Sequence, residues 1–460
     1  MSTNGVMPSS FLEALDTSRG YVVAILGLPG TGKSLLATEL LRSREDTCLL
    51  ITTSENIEFT RNSISEFSDS LKDRFIQVNP GTVSVDDCVG ETLSDALSPF
   101  IDSSKGLEHA EVVIIDSWSS LLHQLNKSDR ARMQRLITRK ARETNNRLVL
   151  VAEGDLAHPL NVSLRHLSDL VVNLSKIHKH ERMYRELVIE KMRCHALEQE
   201  AFLFTLHNGR FTSIPWYQHQ YPAITIEKEP IEDPSDQTVS TGNESLDDLL
   251  GGGLKKGSMN LLEVENLAAP YLETIYIPFL SNHLNLGRPA VVLLPEGWSP
   301  DRFIDGLKRF VVTEKISHQV VFFGRQTSGD LPNCRELDDD PWKTLQEIRY
   351  ESTQLEREFN QTATALLSLD SLENRYGVRA VRSLVGAVTA SLSQTGRVIM
   401  GILGMNQDVK SESLSPNMHL RIEDIDGVLS LHGMIPRSNY LAVKPIRTTG
   451  FMDYSLIPIE

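Results

Sequence analysis

The stretch YVVAILGLPGTGKSLLATELLRS (residues 21–43) restricts the fold more than any other part of the chain. An apolar run typical of a buried strand leads directly into the glycine-bearing segment GLPGTGKS (27–34), and a helical pattern follows at once. In this context the G-x-x-x-x-G-K-[ST] spacing predicts a loop whose backbone N–H groups surround phosphate oxygens at a helix N-terminus. A glycine turn that merely joins strand to helix is the alternative interpretation.

The loop sequence assigns a role to each polar residue that it contains. Lys33 is predicted to reach the β- and γ-phosphates of ATP, and Ser34 to place its hydroxyl on Mg²⁺. The predicted nucleotide-binding residues are Gly27, Leu28, Pro29, Gly30, Thr31, Gly32, Lys33, Ser34 and Leu35. ATP and Mg²⁺ are therefore the expected ligands of this half of the chain.

Two carboxylates are candidates for the chemistry beside this loop. Asp116 ends the apolar strand EVVIID, where it could bind the magnesium ion or its water shell, although strand-end aspartates also serve as helix caps. Glu55 follows the strand TCLLITT (47–53) and could act as the general base that deprotonates the attacking water. An exposed loop glutamate without a catalytic role is the alternative for Glu55.

Buried strands alternate with helical patterns in both halves of the chain, which predicts α/β domains with mainly parallel sheets flanked by helices. The first half contains the strand segments 21–26, 47–53, 111–116 and 147–153, and the second half contains 258–264, 289–296, 363–370 and 397–404. The mixed-charge, proline-containing segment EKEPIEDPSDQ predicts a linker between them. The predicted domains are residues 1–226 and 238–460, with the linker at 227–237. The same alternation of strands and helices in both halves indicates an internal duplication, or only that any two α/β domains share this pattern.

Several segments together resemble the KaiC-like branch of the RecA-superfamily ATPases, in two tandem copies. In the first half these are GLPGTGKS, TTSENIEFTRN, VVIIDSWSSLL and LVIEKMR, and in the second half TGNESLDDLLGGGLKKGSMNLLEVE, ALLSLDSL and DGVLSLHGMIPRSNYLAV. The segment YIPFLSNHLNLGRPAVVLLPEGWSPDRF is most similar to archaeal two-half proteins related to the gas-vesicle regulator GvpD. The resemblance implies two RecA-like domains.

The resemblance also implies assembly into a homo-oligomer with nucleotide between subunits. In this family a Lys-x-Arg pair on a late strand reaches the phosphates of the neighbouring subunit, and Lys191 and Arg193 in EKMRC match that pair. They are therefore catalytic candidates in trans, together with Lys33 and Glu55 in cis. Two surface cations at a strand end are the alternative. Where the family often has two adjacent glutamates, this chain has Ser54 and Glu55, so hydrolysis is expected to be slow.

The second half keeps the strand but lacks the phosphate loop. After SMNLLEV, the positions of the glycines and lysine hold Leu267, Ala268, Ala269 and Pro270. These residues offer neither an N–H cradle nor an ammonium group, so this domain is predicted to be degenerate and not to bind ATP. Asp370 and Glu296 fall where the first half has Asp116 and Glu55.

Composition narrows the class of protein. The net charge of −15 disfavours sequence-independent nucleic-acid binding without excluding a local basic patch. The cysteines Cys48, Cys88, Cys194 and Cys334 show no paired spacing, and neither a secretion signal nor a membrane span is recognisable, so a cytoplasmic protein is expected. The histidines of KIHKHER (176–182) could be a metal pair or a polar hairpin tip.

The leading functional hypothesis is a signalling or regulatory ATPase switch, with slow Mg²⁺-dependent hydrolysis in the first domain and a protein partner at the second. One alternative is a regulator that binds ATP and a protein partner, for example a transcription factor, without turnover. Another is a DNA-repair ATPase related to RecA and RadA, but the loops after the third and fourth strands carry few cations.

Overall fold

A computed structural model describes residues 7–17, 19–43, 48–52, 75–77, 111–123, 125–218, 229–266, 269–324, 333–448 and 451–460. The chain forms two compact units. The first comprises residues 1–215 together with 459–460, and the second comprises residues 216–458. Both are α/β units built around a large sheet that is parallel in its centre, as the sequence predicts for two RecA-like domains.

The first unit has a mixed sheet whose described strands follow the order β3-β2-β4-β5-β1-β6-β7-β8-β9. These strands are β1 (Val22–Gly27), β2 (Cys48–Thr52), β3 (Phe75–Gln77), β4 (Val112–Asp116), β5 (Arg147–Glu153), β6 (Leu170–Lys179), β7 (Arg182–Met192), β8 (Ala201–Thr205) and β9 (Thr212–Ile214). The helices are α1 (Ser9–Thr17), α2 (Lys33–Ser43), α3 (Trp118–His123), α4 (Lys127–Glu143) and α5 (Pro159–Leu167). Strands β3 to β6 of this order pair in parallel, and β6 to β9 pair antiparallel.

Strand β1 lies in the middle of this sheet, paired in parallel with β5 and β6. All its residues are buried, because helices cover both faces of the sheet. Val23 and Ile25 pack with α1 and α2, whereas Val22 and Ala24 face the core beside α3 and α4. The continuous apolar run therefore places the end of β1 at the edge of a rigid sheet, where open α/β folds bind ligands.

The β6–β7 hairpin continues beyond β1 at the carboxyl end of the parallel strands. Val23 to Leu26 of β1 pair with residues 170–173 of β6, and residues 174–179 extend further, paired with β7. His180 and Glu181 form its two-residue turn, both with positive φ (50° and 59°), as in a type I′ turn. The segment KIHKHER is thus a polar hairpin tip, and no group of three or more potential metal ligands occurs among the described residues.

The second unit contains a mixed sheet with the described order β15-β14-β13-β16-β17-β12-β18-β19-β20-β21. Its strands, with the separate pair β10–β11, are β10 (Thr238–Val239), β11 (Leu254–Lys255), β12 (Ser258–Val264), β13 (Ala290–Leu293), β14 (Val320–Phe323), β15 (Cys334–Arg335), β16 (Thr364–Ser368), β17 (Val398–Gly404), β18 (Met418–Ile425), β19 (Val428–Ile435), β20 (Leu441–Thr448) and β21 (Phe451–Pro458). The helices are α6 (Glu244–Leu249), α7 (Glu273–Asn285), α8 (Pro300–Leu307), α9 (Thr313–Gln319), α10 (Pro341–Phe359), α11 (Leu369–Tyr376) and α12 (Val378–Thr395).

The two sheets share one strand order. Strand β12 takes the place of β1, between β17 and β18, as β1 lies between β5 and β6. In both sheets the strands beyond this point, β6 to β9 and β18 to β21, pair antiparallel. Strand β15 is an additional parallel strand at the far edge of the second sheet.

The described part of the predicted linker, residues 229–237, packs on the second unit. Asn282 exchanges two hydrogen bonds with the backbone of Ile231, and Arg288 makes a bidentate ion pair with Asp233 at 2.8 and 2.9 Å. Lys256 also contacts Asp233. The charge of Asp233 in this segment is therefore paired with cations of the second unit. No described helix combines the length and the apolar character that crossing a bilayer requires.

Candidate functional site

The segment from Gly27 to Ser34 forms a tight loop between β1 and α2. β1 ends at Gly27, whose backbone exchanges two 3.1 Å hydrogen bonds with Gly154, and α2 begins at Lys33. A side chain at Gly27 would place its Cβ 2.5 Å from the carbonyl oxygen of Leu174, so only glycine fits there. Gly32 has a φ of 106°, which side-chain-bearing residues rarely adopt. The loop geometry therefore depends on the glycine spacing.

Lys33 points into this loop. Its side chain is largely buried, and its Nζ donates hydrogen bonds of 2.9 Å to the carbonyl oxygens of Gly27 and Leu28. Burial lowers the pKa of Lys33, while the nearby carboxylates of Glu153 and Asp116 act in the opposite direction. A cation held among backbone carbonyls at a helix N-terminus is well placed to meet an anion that enters the loop.

The remaining loop residues shape the cradle. Thr31 is buried, and its hydroxyl donates to the carbonyl oxygen of Leu28 at 2.9 Å, which closes the turn. Leu28 itself is 59% exposed, and Leu35 packs partly against the core on the α2 side. Ser34 is exposed at the start of α2. The exposed hydroxyl and the buried core contacts lie on different sides of the same helical turn.

Asp116 lies beside the loop, at the end of β4. Burial raises its pKa, while a hydrogen bond with Ser34 and the charge of Lys33 lower it. A partly desolvated carboxylate hydrogen-bonded to an exposed hydroxyl is a donor pair that suits Mg²⁺, which prefers oxygen ligands and keeps several waters. The predicted association of Lys33, Ser34 and Asp116 is therefore found in the tertiary structure.

Glu153 is a further carboxylate at this site, which the sequence analysis did not single out. It is the last residue of β5, directly opposite Gly27 in the register, and its charge acts on both Lys33 and Asp116. Its backbone is fixed on both sides, because Ser119 Oγ accepts from its N–H at 2.8 Å and Asn161 Nδ2 donates to its carbonyl oxygen at 3.0 Å. Its position at the end of RLVLVAE is a signal in the sequence, but other strand-end carboxylates share it.

Two cations from the β6–β7 hairpin also reach the loop. Lys176 and Arg185 are paired residues in the register of the two strands. Arg185 Nη1 donates to the carbonyl oxygen of Gly30 at 3.0 Å, and Lys176 Nζ lies 3.1 Å from the position that a Cβ on Gly30 would take. Burial lowers the pKa of Arg185. Among the described residues, three cationic side chains, including Lys33, therefore lie at the loop.

Lys191 and Arg193 lie at the opposite end of the sheet. Lys191 pairs with Val171 at the beginning of β6, and its Nζ donates to the carbonyl oxygens of Arg165 and Ser168 at 2.9 and 2.6 Å. Arg193 Nη1 contacts Asp169 at 3.2 Å. The structure therefore does not bring this pair to the loop of its own subunit. Its predicted role in trans stays a prediction, and Glu55 lies outside the described residues.

The equivalent region of the second unit contains a buried carboxylate. Glu263, near the end of β12, accepts hydrogen bonds of 2.7 Å from Arg421 Nε and 3.3 Å from Ser411, and it is hydrogen-bonded to His419 at 2.7 Å. Burial alone would raise the pKa of Glu263, but the hydrogen bonds from His419 and Arg421 outweigh it and lower the pKa to about 2. Glu263 is therefore ionised at neutral pH.

The residues between β12 and α7 do not form a phosphate loop where they are described. Ala269 and Pro270 belong to a short 3-10 helix that ends at Tyr271, whereas Leu267 and Ala268 lie outside the described residues. The ring of Tyr271 packs against that of Tyr217, with centroids 4.8 Å apart. This contact belongs to the hydrophobic core of the second unit, in which Tyr217 is buried.

Asp370 and Glu296 make contacts within the second unit. β16 ends at Ser368, so Asp370 lies in the first turn of α11, not at the strand end as Asp116 does. Asp370 accepts a 2.9 Å hydrogen bond from the N–H of Gly404, and Glu296 accepts one from Asn374. The structure therefore does not reproduce the predicted match between Asp370 and Asp116.

Comparison with known families supports this geometry. Residues 16–216 match the family model described as a KaiC ATPase. The match covers most of the first unit, and it agrees with the RecA-like, P-loop character predicted for this half. No curated protein showed significant similarity to the chain. The relation to GvpD and a second KaiC-like copy stay predictions.

Proposed function

We propose that the first unit binds Mg·ATP and hydrolyses it slowly, and that the nucleotide state controls a protein partner through the second unit. The observation that carries the proposal is the convergence of Lys33, Ser34 and Asp116 at the loop between β1 and α2. The KaiC-type match of residues 16–216 supports the same chemistry. ATP is the substrate, and water is the proposed phosphoryl acceptor.

Each residue of the loop has a defined task in this proposal. Backbone N–H groups of residues 30–34 bind the β- and γ-phosphate oxygens, and the α2 N-terminus adds a favourable dipole. Lys33 exchanges its carbonyl contacts for phosphate oxygens, so its charge is neutralised by the substrate. Ser34 and Asp116 would hold Mg²⁺, which neutralises charge on the β- and γ-phosphates when it is bound.

The attacking water needs a base, and Glu55 is our candidate from the sequence. Glu55 would accept the proton as the water oxygen attacks the γ-phosphorus and the bond to the β–γ bridging oxygen breaks. Glu153 lies at the same sheet edge as Lys33, and we assign it a supporting role that keeps Lys33 protonated. Lys176 and Arg185 would add positive charge near the loop tip at Gly30.

Lys191 and Arg193 enter the proposal through assembly. Both cations lie at the sheet edge away from their own loop, as a pair that serves a neighbouring subunit should. Arg193 and Lys191 would exchange their contacts with Asp169 and the α5 carbonyls for phosphate oxygens of the neighbour. Native mass measured with and without Mg·ATP tests whether nucleotide promotes such an oligomer.

Calorimetric titration of the full chain with a non-hydrolysable Mg·ATP analogue tests the central proposal. We expect one nucleotide per chain. Lys33→Ala should abolish binding, because the loop loses the side-chain cation that is proposed to contact the β- and γ-phosphates. Pro270→Ala is the matched control in the second unit and should leave binding unchanged. Two nucleotides per chain, or undiminished binding by Lys33→Ala, would contradict the proposal.

One further measurement distinguishes this ATPase from a regulator that binds ATP without hydrolysing it. Phosphate release from Mg·ATP is measured for the unaltered chain and for Lys33→Ala. Release that requires Lys33 supports slow hydrolysis, whereas tight binding with no release above the level of Lys33→Ala favours the regulator.

A further inference from the structure

A cavity lies in the second unit between the sheet and the helices α10 and α12. Its enclosed volume is about 70 Å³, and the open space at its mouth brings the total to about 820 Å³. Its floor includes Ala363 and Ala365, whose short side chains leave space beneath the two helices. Ala365 is 8% exposed, whereas Leu366, on the opposite face of the same strand, is 0% exposed. The helices therefore cover one face of this sheet less completely than the other.

The interior of the cavity is apolar. The side chains around it include Leu345, Ile348, Leu367, Val385, Val388 and Ile399. Hydroxyl groups and two arginines complete the lining, and no acidic side chain is among the described residues that line it. An apolar interior with a few polar groups at its edge is typical of small-molecule sites. These properties suit a ligand with a hydrocarbon part.

The two arginines differ in their electrostatic surroundings. Arg397 makes a bidentate ion pair with Glu356, with distances of 2.8 and 2.5 Å, so its charge is neutralised within the protein. Arg349 is exposed at the mouth, and its Nη2 donates to the carbonyl oxygen of Ala387 at 3.0 Å and to Ser391 Oγ at 3.3 Å. Among the described residues no carboxylate forms an ion pair with Arg349.

We propose that this cavity binds an aliphatic carboxylate. The hydrocarbon chain lies between α10 and α12 over Ala365, and the carboxylate accepts hydrogen bonds from the Arg349 guanidinium. Arg349 is anchored to α12 by neutral acceptors only, so its charge remains for an anion in a chain that is acidic as a whole. Planar guanidinium and carboxylate groups form paired, charge-assisted hydrogen bonds. The site lies within the second unit and does not depend on the proposed ATP site.

Calorimetric titration of the full chain with hexanoate, octanoate and decanoate tests the proposal. We expect one saturable site whose affinity rises about fourfold per methylene until the cavity is filled, because each buried methylene adds a similar apolar transfer free energy. Lack of saturable binding by all three ligands overturns the proposal. An affinity that does not depend on chain length contradicts the apolar assignment.

Variants locate the ligand. Arg349→Gln should weaken octanoate binding about tenfold and leave octanol binding unchanged, since only the carboxylate uses the guanidinium charge. Arg382→Gln is the matched control, because Arg382 is an exposed residue of α12 that does not line the cavity. An equal loss for octanoate and octanol with Arg349→Gln contradicts the placement of the carboxylate.

Filling the cavity is the second test. Ala365→Leu occupies the floor and should abolish binding of both octanoate and octanol. Val388→Phe, which fills the same space from α12, replaces it if Ala365→Leu does not fold. Octanoate binding that survives in a folded filled variant shows that the ligand binds elsewhere and overturns the proposal.

Discussion

The carboxyl end of β1 and the carboxyl end of β12 occupy the same place in two sheets of the same strand order, yet they offer opposite charges to a ligand. After β1 the chain forms a glycine-bearing loop, and the Lys33 ammonium donates hydrogen bonds to the carbonyl oxygens of Gly27 and Leu28 in that loop. At β12 the ionised Glu263 is bound by Arg421 and His419. The first arrangement attracts an anion, and the second already contains one.

The helices that follow these strands differ in the same sense. The first turn of α2 contains no acidic residue, so its N-terminal dipole favours an incoming phosphate. The first turn of α7 contains Glu273, which is 6% exposed and lies 4.0 Å from Arg302. The second unit therefore has a carboxylate in the first turn of the helix, where a nucleotide phosphate is proposed to bind in the first unit. A shared strand order fixes where a site can form, and the side chains at the strand and helix ends set its charge.

The largest effect on turnover is expected from substitution of Asp116, with Asp370 of the second unit as the control. Asp116→Asn should lower ATP turnover by about 100- to 1000-fold, because the site loses its proposed carboxylate ligand for Mg²⁺. Asp370→Asn changes the aspartate that only the sequence matched to Asp116, and it should leave turnover unchanged. Steady-state phosphate release measures both. A comparable loss in Asp370→Asn would show that the second unit takes part in the chemistry.

Substitution of Glu55 and of Glu153 distinguishes the proposed general base from the neighbouring carboxylate. Glu55→Gln should lower turnover about 100-fold at unchanged ATP affinity, because it removes the proton acceptor. Glu153→Gln should lower it only about threefold, through weaker support of the Lys33 charge. Single-turnover hydrolysis with excess enzyme distinguishes them. The reverse order of effects would transfer the role of base to Glu153.

Loss of the internal carboxylate should destabilise the second unit. The shift of the Glu263 pKa from 4.5 to about 2 corresponds to about 3 kcal/mol, and partial exposure of Arg421 lowers the expected loss for Glu263→Gln to about 2 kcal/mol. Urea unfolding at neutral pH measures this loss. Glu265→Gln, a neighbouring carboxylate outside the cluster, is the control and should change the stability less.

The same pKa shift predicts a pH dependence. Because the folded-state pKa of Glu263 lies below its unfolded value, its contribution is fully present above about pH 4.5 and is lost as the pH falls towards 2. The difference in unfolding free energy between the unaltered chain and Glu263→Gln should therefore shrink across this window. If the difference in unfolding free energy stays constant between about pH 5 and about pH 3, on either side of the unfolded-state pKa of about 4.5, titration of Glu263 does not cause it.

The smallest effect is expected at the hairpin over the loop. Lys176→Ala should weaken Mg·ATP binding about threefold, because an exposed cation near the phosphates contributes modestly. Lys179→Ala removes the same charge further along the hairpin and is the control. Equal effects of the two variants would indicate general electrostatic attraction in place of a contact near Gly30. Raising the ionic strength should reduce the difference between them.

Much of the fold was predictable because its signals are local. The apolar runs at 147–153 and 258–264 are strands with the same bounds as predicted, since continuous burial in a parallel sheet leaves a continuous apolar pattern. Other predictions were less accurate at their ends. The segment 363–370 was predicted as a strand, but β16 ends at Ser368 because the Ser368 hydroxyl accepts a hydrogen bond from the N–H of Ser371 and starts α11.

The residues of the candidate site also differ in how far the sequence predicts them. The proximity of Lys33, Ser34 and Asp116 could be predicted, because each follows a recognisable strand or loop pattern. Glu153 could not be separated from other strand-end carboxylates until the register placed it opposite Gly27. Lys176 and Arg185 belong to a hairpin more than a hundred residues away, and no local pattern indicates that it extends over Gly30.

The amino-acid sequence by itself indicated a phosphate-loop motif between β1 and α2 and no such motif after β12, because this motif depends on glycine spacing within a few residues. Only the tertiary structure decided which charges meet at each sheet edge. Glu263 is 158 residues from Arg421, and Lys33 is 120 residues from Glu153, so these pairs arise from strand order and register. Electrostatic interactions act through space, and their partners become known only when the sheet is assembled.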